Sequence, residues 1–185
     1  LESRAQIESY LRDLDDAIAA QPLLMTTTIR CWVPGGGAIL AHGMTHRKAT
    51  KDIDAVFDNI DTLLKTPQSD ALVKAVRIVA RKHHLPKDWL NDDAALFVRD
   101  MMPAPELLPW FSGHHLQVDI PSKRCLLVLK LMAGRPKDSD DIDVLLDELD
   151  LSTRAQAQDL VNFFVPDRRW HAHEMLPKTL DALFG

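Results

Sequence analysis

Residues 35–57 read GGGAILAHGMTHRKATKDIDAVF. Three consecutive glycines, Gly35 to Gly37, mark a place where the backbone comes close to something, and Asp52 and Asp54 follow in the same stretch. In DIDAVF, residues Ile53, Ala55 and Phe57 alternate with Asp52, Asp54 and Val56. That alternation predicts a strand over 52–57 with both acids on one face, about 7 Å apart at the backbone. Oxygens so placed can converge on Mg²⁺, an ion that clamps a nucleoside triphosphate and activates an attacking oxygen. Between glycines and acids, residues 37–43 predict a short helix that Gly43 stops. A glycine turn from strand into helix exposes backbone N–H groups, a favourable setting for phosphate. Each half alone is weak. A glycine triplet also makes a plain tight turn, and a lone DxD also occurs on a solvated strand edge. The stretch has no GK[ST] ending, and Gly35, Gly37 and Leu40 do not supply GxGxxG.

The flanks extend the pattern. MTTTIRCWV, residues 25–33, is rich in β-branched residues and predicts a strand ended by Pro34. Upstream, Ile7, Leu11, Leu14 and Ile18 form one apolar stripe and predict a helix over 3–20, ended by Gln21-Pro22. Downstream, 59–65 reads as a short helical turn, and 69–84 as a helix with Leu72, Val73, Val76, Val79 and Ala80 on one side. Residues 85–113 predict one short strand near 95–98 and a long loop, MMPAPELLPW. In 114–120, Leu116, Val118 and Ile120 alternate with Gln117 and Asp119, another strand. Helices follow over 122–133, 138–149, 152–163 and 170–183, with Ser122 and Ser152 as N-caps. The fold class is therefore α+β (mixed α/β), a small mixed sheet with flanking helices and a helical C-terminal half. The expected organisation is an α/β core over 1–121 and a helical part over 122–185, packed as one compact unit.

Composition sets limits. With 185 residues, 46% hydrophobic and 26% charged, the chain has enough material for a real core. No apolar run approaches the roughly 20 residues of a membrane span. The chain does not begin with Met, and LESRAQIESYL lacks the apolar stretch of a signal peptide. A cytoplasmic location without membrane partners is the expectation. Cys31 and Cys125 sit in no CxxC or zinc spacing and read as two reduced core thiols. A net charge of −5 argues against a general nucleic-acid coat protein. Yet 74–88 carries Lys74, Arg77, Arg81, Lys82 and Lys87 with His83 and His84, while 138–150 is strongly acidic. The basic stretch is either a solvated helix face or a hold for a phosphate-bearing substrate.

Gly35-Gly36, Ala38, His42-Gly43, Arg47, Thr50 and Asp52-Ile53-Asp54 together resemble the first motif of the nucleotidyltransferase superfamily. More narrowly they resemble the branch holding the AbiEii-type and MenT-type toxins of toxin–antitoxin systems. A second stretch, LLVLKLMAGRPKDSDDIDVLL at 126–146, is similar to that branch's Lys-bearing helix and the acid-rich motif after it, through Lys130, Arg135, Asp138, Asp141 and Ile142. The two segments cover less than a third of the chain. The resemblance implies transfer of a nucleoside monophosphate from a nucleoside triphosphate to an acceptor hydroxyl, with Mg²⁺ or Mn²⁺ as cofactor. It implies Asp52 and Asp54 as metal ligands, Gly35 and Gly36 as phosphate contacts, and Arg47, Thr50, Lys130, Asp138 and Asp141 in nucleotide binding. Many members have a third carboxylate on a later strand. Asp119 is the candidate here, as metal ligand and as helper in deprotonating the acceptor. The acceptor implied is RNA, such as a tRNA 3′ end, with the basic 74–87 segment as its contact, and an antitoxin protein is the implied partner.

Other signals are weighed beside these. Lys130 lies among Leu127, Val128, Leu129 and Leu131, so it either snorkels from a helix edge or points into a site. Trp89 and Asn91 are candidates to line a base pocket. Lys51 contacts either phosphate or solvent. His114-His115 and the run His171 to Glu174 match no metal motif and read as surface histidines. The competing function is a catalytically weak nucleotidyltransferase-fold binding module, with the acidic 138–150 helix as its protein-interaction surface.

Overall fold

The computed structural model describes residues 1–60, 64–173 and 175–185. The short helical turn expected over 59–65 lies partly outside them, as does Glu174. The mixed α+β class stands. The chain divides into two compact units, residues 1–95 with 108–120 and residues 96–107 with 121–185. Residues 96–107 group with the C-terminal part rather than with the stretch that precedes them. Phe97 meets Trp170 edge-on at 5.4 Å, Cys125 Sγ lies 3.1 Å from Met102 Sδ, and Ser122 Oγ donates to Glu106 at 2.7 Å.

The first unit begins with α1, Arg4–Ala19, whose stripe of Ile7, Leu11, Leu14 and Ile18 is buried. Its Ser3 N-cap accepts from the Gln6 N–H. Then come β1 (Ile29–Trp32), α2 (Gly36–Ala41), β2 (Ile53–Asp54) and β3 (Val56–Phe57). They are followed in the chain by α3 (Pro67–His83), β4 (Leu90–Asn91), α4 (Ala95–Met101), which from residue 96 on belongs to the second unit, β5 (Leu107–Ser112) and β6 (Leu116–Pro121). One sheet has the order β3-β1-β6-β5, and β2 pairs with β4 in a second. β1 runs antiparallel to β3 and parallel to β6. α1 packs on α3, and α2 on β2.

Several expectations change. The strand over 25–33 is only Ile29–Trp32, because 21–27 is a run of turns, with Leu24 and Met25 N–H both donating to the Gln21 carbonyl. The strand over 52–57 is broken at Ala55. β2 joins β4 (Asp54 opposite Asn91), and β3 joins β1 (Val56 opposite Trp32). The segment thus changes partner within one residue. The strand near 95–98 is helix α4. Its buried Ala95, Val98 and Met101 recur every third residue, a helical spacing that outweighs the local β preference of Phe97 and Val98. The loop over 101–110 contains the start of β5.

The second unit contains α5 (Lys123–Ala133), a 3₁₀ turn at Pro136–Asp138, α6 (Ser139–Glu148), α7 (Arg154–Phe164), α8 (Arg168–His173) and α9 (Leu176–Phe184). α5 packs on α6, α7 and α9. Ser122 caps α5 as expected, but Thr153 rather than Ser152 caps α7, in a capping box with Gln156. The helix expected over 170–183 is two helices. Pro177 sits in the first turn of α9, where its missing N–H costs nothing, whereas inside one continuous helix it would remove a bond. Among the described residues no helix is long and apolar enough to cross a membrane.

The β5–β6 hairpin is tied to α1 by Asp15, a buried carboxylate that accepts from the backbone N–H of His114 at 3.0 Å and of His115 at 2.7 Å. A Cβ on Gly113 would collide with that carboxylate, so the turn requires glycine. Replacing Asp15 by Ala leaves two turn donors unmet and is expected to cost about 1–2 kcal/mol, read as a lower urea midpoint. An unchanged midpoint would show that the clip contributes nothing.

Candidate functional site

Where β1 ends, the chain turns through Gly35, at φ 83° and ψ −143°, a region that side-chain-bearing residues avoid. A Cβ built there would lie 3.6 Å from Asp54 Oδ2. A Cβ on Gly36 would lie 2.8 Å from Thr50 Oγ1 and 3.3 Å from Arg47 Nη1. The glycines therefore admit Asp54, Thr50 and Arg47 against the backbone. Thr50 Oγ1 donates to the Asp52 carbonyl at 2.9 Å, which fixes the approach to β2. Arg4 Nη1 donates to the Ala41 carbonyl at 2.8 Å and holds the far end of α2. The N-cap of α2 is Gly35, which has no side chain to cap it.

Asp119 enters from the other side. Trp32 lies opposite Val56 on β3 and opposite Asp119 on β6, so these three project to one face. Gly35, Gly36, Arg47, Thr50, Asp52, Asp54 and Asp119 are all half-buried. Burial pushes the Asp119 carboxyl above the usual carboxylate range, and Arg30 only partly opposes this. Cys31, beneath the same strands, is fully buried, and desolvation raises its thiol far above its ordinary range with help from Asp58 and Asp119. In the second unit, burial pushes the Cys125 thiol up to about 12. Both cysteines are free and inert in the core, as expected.

Among the described residues no three His, Cys, Asp or Glu side chains come together in a group able to hold a metal ion. β1 lies between β6, which carries Asp119, and β3, which follows Asp54 after the break at Ala55. Asp52 and Asp54 remain as a pair. An all-oxygen pair fits Mg²⁺, which commonly takes one or two carboxylates and leaves its other positions to water and phosphate.

Lys130 neither snorkels nor faces a ligand. Its side chain is 3% exposed, and Nζ donates to Asp138 Oδ1 at 2.8 Å and Asp141 Oδ2 at 2.6 Å. The helix before and the helix after the Gly134–Pro136 turn are joined through this one ammonium. Lys130, Asp138 and Asp141 thus form a buried ion cluster that ties α5 to the start of α6. Lys130→Met is expected to destabilise the second unit by about 3–5 kcal/mol by leaving two carboxylates buried without their cation. Adding Asp138→Asn and Asp141→Asn should restore part of that loss in urea unfolding.

Trp89 cannot stack a base. It is fully buried, its indole N–H donates to the Val76 carbonyl at 3.1 Å, and Tyr10 packs against it edge-on at 6.0 Å. Asn91 does line a cleft, with Phe57, Leu72, Val76 and Leu90. Within the basic stretch, Lys82 and His83 both pair with Asp13 and hold its carboxyl below the usual range. His171 binds the Val165 carbonyl at 2.8 Å, which fits a structural histidine. The sequence reading missed Asp15 and Asp13. Asp15 stands one position from the apolar stripe, at Leu14, and that placement on the α1 face was the available signal.

Comparison of the chain with protein-family models, with curated proteins and with solved structures returned no match.

The raised Asp119 gives a test with a defined sign. A carboxyl whose folded value exceeds its unfolded value binds its proton more tightly in the native state. Its contribution is present in acid and is lost as pH rises through the raised value. Asp119→Asn removes that loss. Its urea midpoint should gain on wild type as pH rises from the ordinary carboxylate range through the raised value. A constant difference would show that Asp119 is not held in its proton-bound form.

Proposed function

We propose that the first unit binds a nucleoside triphosphate and transfers its nucleoside monophosphate to an acceptor hydroxyl. The observation that carries this reading is the approach of Asp54, Thr50 and Arg47 to the backbone of Gly35 and Gly36. Two ends of one stretch meet, a glycine turn suited to phosphate and a carboxylate pair suited to its cation. In this reading the acceptor oxygen attacks the α-phosphorus and pyrophosphate leaves. The backbone N–H groups at Gly36 and Gly37 donate to phosphate oxygens. Arg47 supplies a fixed fork of donors to the same group. Asp52 and Asp54 would hold Mg²⁺ or Mn²⁺, which when bound offsets triphosphate charge. Asp119, a carboxylate raised by burial, is the candidate to accept the acceptor's proton in this reading.

The resemblance of the glycine and aspartate motif adds an RNA acceptor, such as a tRNA 3′ end, and a toxin role with a cognate antitoxin. One observation favours the second reading, a catalytically weak binding module. No three-carboxylate group assembles among the described residues. In that case Asp140, Asp143 and Asp147, exposed on α6, belong to the partner surface.

The test is transfer of label from each of four α-³²P nucleoside triphosphates to total tRNA with Mg²⁺. Wild type is expected to label tRNA with at least one nucleotide, and Asp54→Asn to lose on the order of 10²–10³-fold. No label, with a Mg²⁺-dependent thermal shift on nucleotide addition, points to another acceptor. Neither label nor shift favours the binding module.

A further inference from the structure

We propose that the outer face of α3 and the turn after it bind single-stranded nucleic acid, with phosphates on the helix and one unstacked base in the neighbouring cleft. The proposal does not use Asp52 or Asp54 and stands whether or not the chain transfers nucleotides.

Two hollows adjoin on this face of the first unit. One groove is lined by Arg77, Ala80, Arg81, His84, Leu85 and Lys87. Arg77, Arg81 and His84 follow at spacings of four and three, which places them on one side of the helix. His84 adopts a left-handed φ of 54° and ends α3. The chain then turns so that Lys87 returns to line the same groove as Arg77. Both residues also line the second hollow, a cleft of about 190 Å³. Its floor is apolar, formed by Phe57, Leu72, Val76 and Leu90, and its far edge carries Asp88, Asn91 and Asp92.

The charges show what fits. Lys82 and His83 are held by Asp13, whereas among the described residues Arg77, Arg81 and Lys87 have no carboxylate partner. Three exposed cations without a carboxylate partner thus line one groove on a chain with a net charge of −5. They favour an anion with repeated charges. The cleft narrows the choice. A cavity of about 150 Å³ accepts one benzene ring, so 190 Å³ suits a single planar ring system. The Asp88 and Asp92 carboxylates disfavour a phosphate inside the cleft and leave phosphates to the groove of Arg77, Arg81 and Lys87. An acidic peptide would meet those carboxylates, and a duplex has no free base for the cleft.

The experiment is fluorescence anisotropy with a short fluorescein-labelled RNA of mixed sequence. Its duplex and a polyglutamate peptide serve as competitors over a salt series. Wild type is expected to bind the single strand and to prefer it to both competitors. Arg77→Glu with Arg81→Glu should weaken binding at least about tenfold and flatten the log–log salt slope by about 1.4, two contacts at about 0.7 each. Val73→Trp, at an exposed position on the cleft, should weaken binding several-fold with the slope unchanged. Arg168→Glu with Lys178→Glu makes the same charge change in the other unit and should leave both readouts as in wild type. Three outcomes overturn the proposal: no loss in the Arg77/Arg81 variant, equal affinity for the duplex, or equal affinity for polyglutamate.

Discussion

Strand β1 is the constraint on which the first unit depends. It has four residues, yet it pairs on both sides, with β3 and with β6. Asn59 clips its start, accepting from the Arg30 N–H at 3.0 Å and donating to the Thr28 carbonyl at 2.7 Å. Its end feeds the Gly35 turn. The register through Trp32 sets Asp119 on one side and the strand following Asp54 on the other. A one-residue slip would send Asp119 to the opposite face and remove it from any shared chemistry.

Three ways of handling charge coexist in the chain, and their environments set their roles. Asp52 and Asp54 are half-buried, and Asp54 lies against the Gly35 turn. Lys130 with Asp138 and Asp141 is sealed, so its charges serve packing of α5 against α6. Arg77, Arg81 and Lys87 lie open to solvent. The second motif of the sequence is thus drawn into a buried ion cluster, while the acids of the first stay half-buried.

Much of the fold was legible because its signals are local. The α1 stripe, the Ser122 cap and the alternation at Leu116, Val118 and Ile120 each lie within a few residues and appear where expected. The misses share a cause. Ala55 breaks a strand because two different neighbours compete for the segment, which alternation cannot reveal. Residues 95–101 form a helix because Val98 and Met101 need burial on one side, a period that a short window masks with β-favouring residues. Trp89 looked available to a ligand because sequence does not reveal that Val76 and Tyr10 close over it.

The sequence by itself determined the α+β class, the glycine turn, the acid pair and an apolar helix around Lys130, since backbone sterics and side-chain periodicity act over short range. Only the tertiary structure decided that Asp54 comes to Gly35, that Asp119 is separated from β3 by a whole strand, and that Lys130 is spent on two carboxylates. Those outcomes depend on strand order and on which helix follows a turn. They join residues far apart in the chain, and no local preference encodes them.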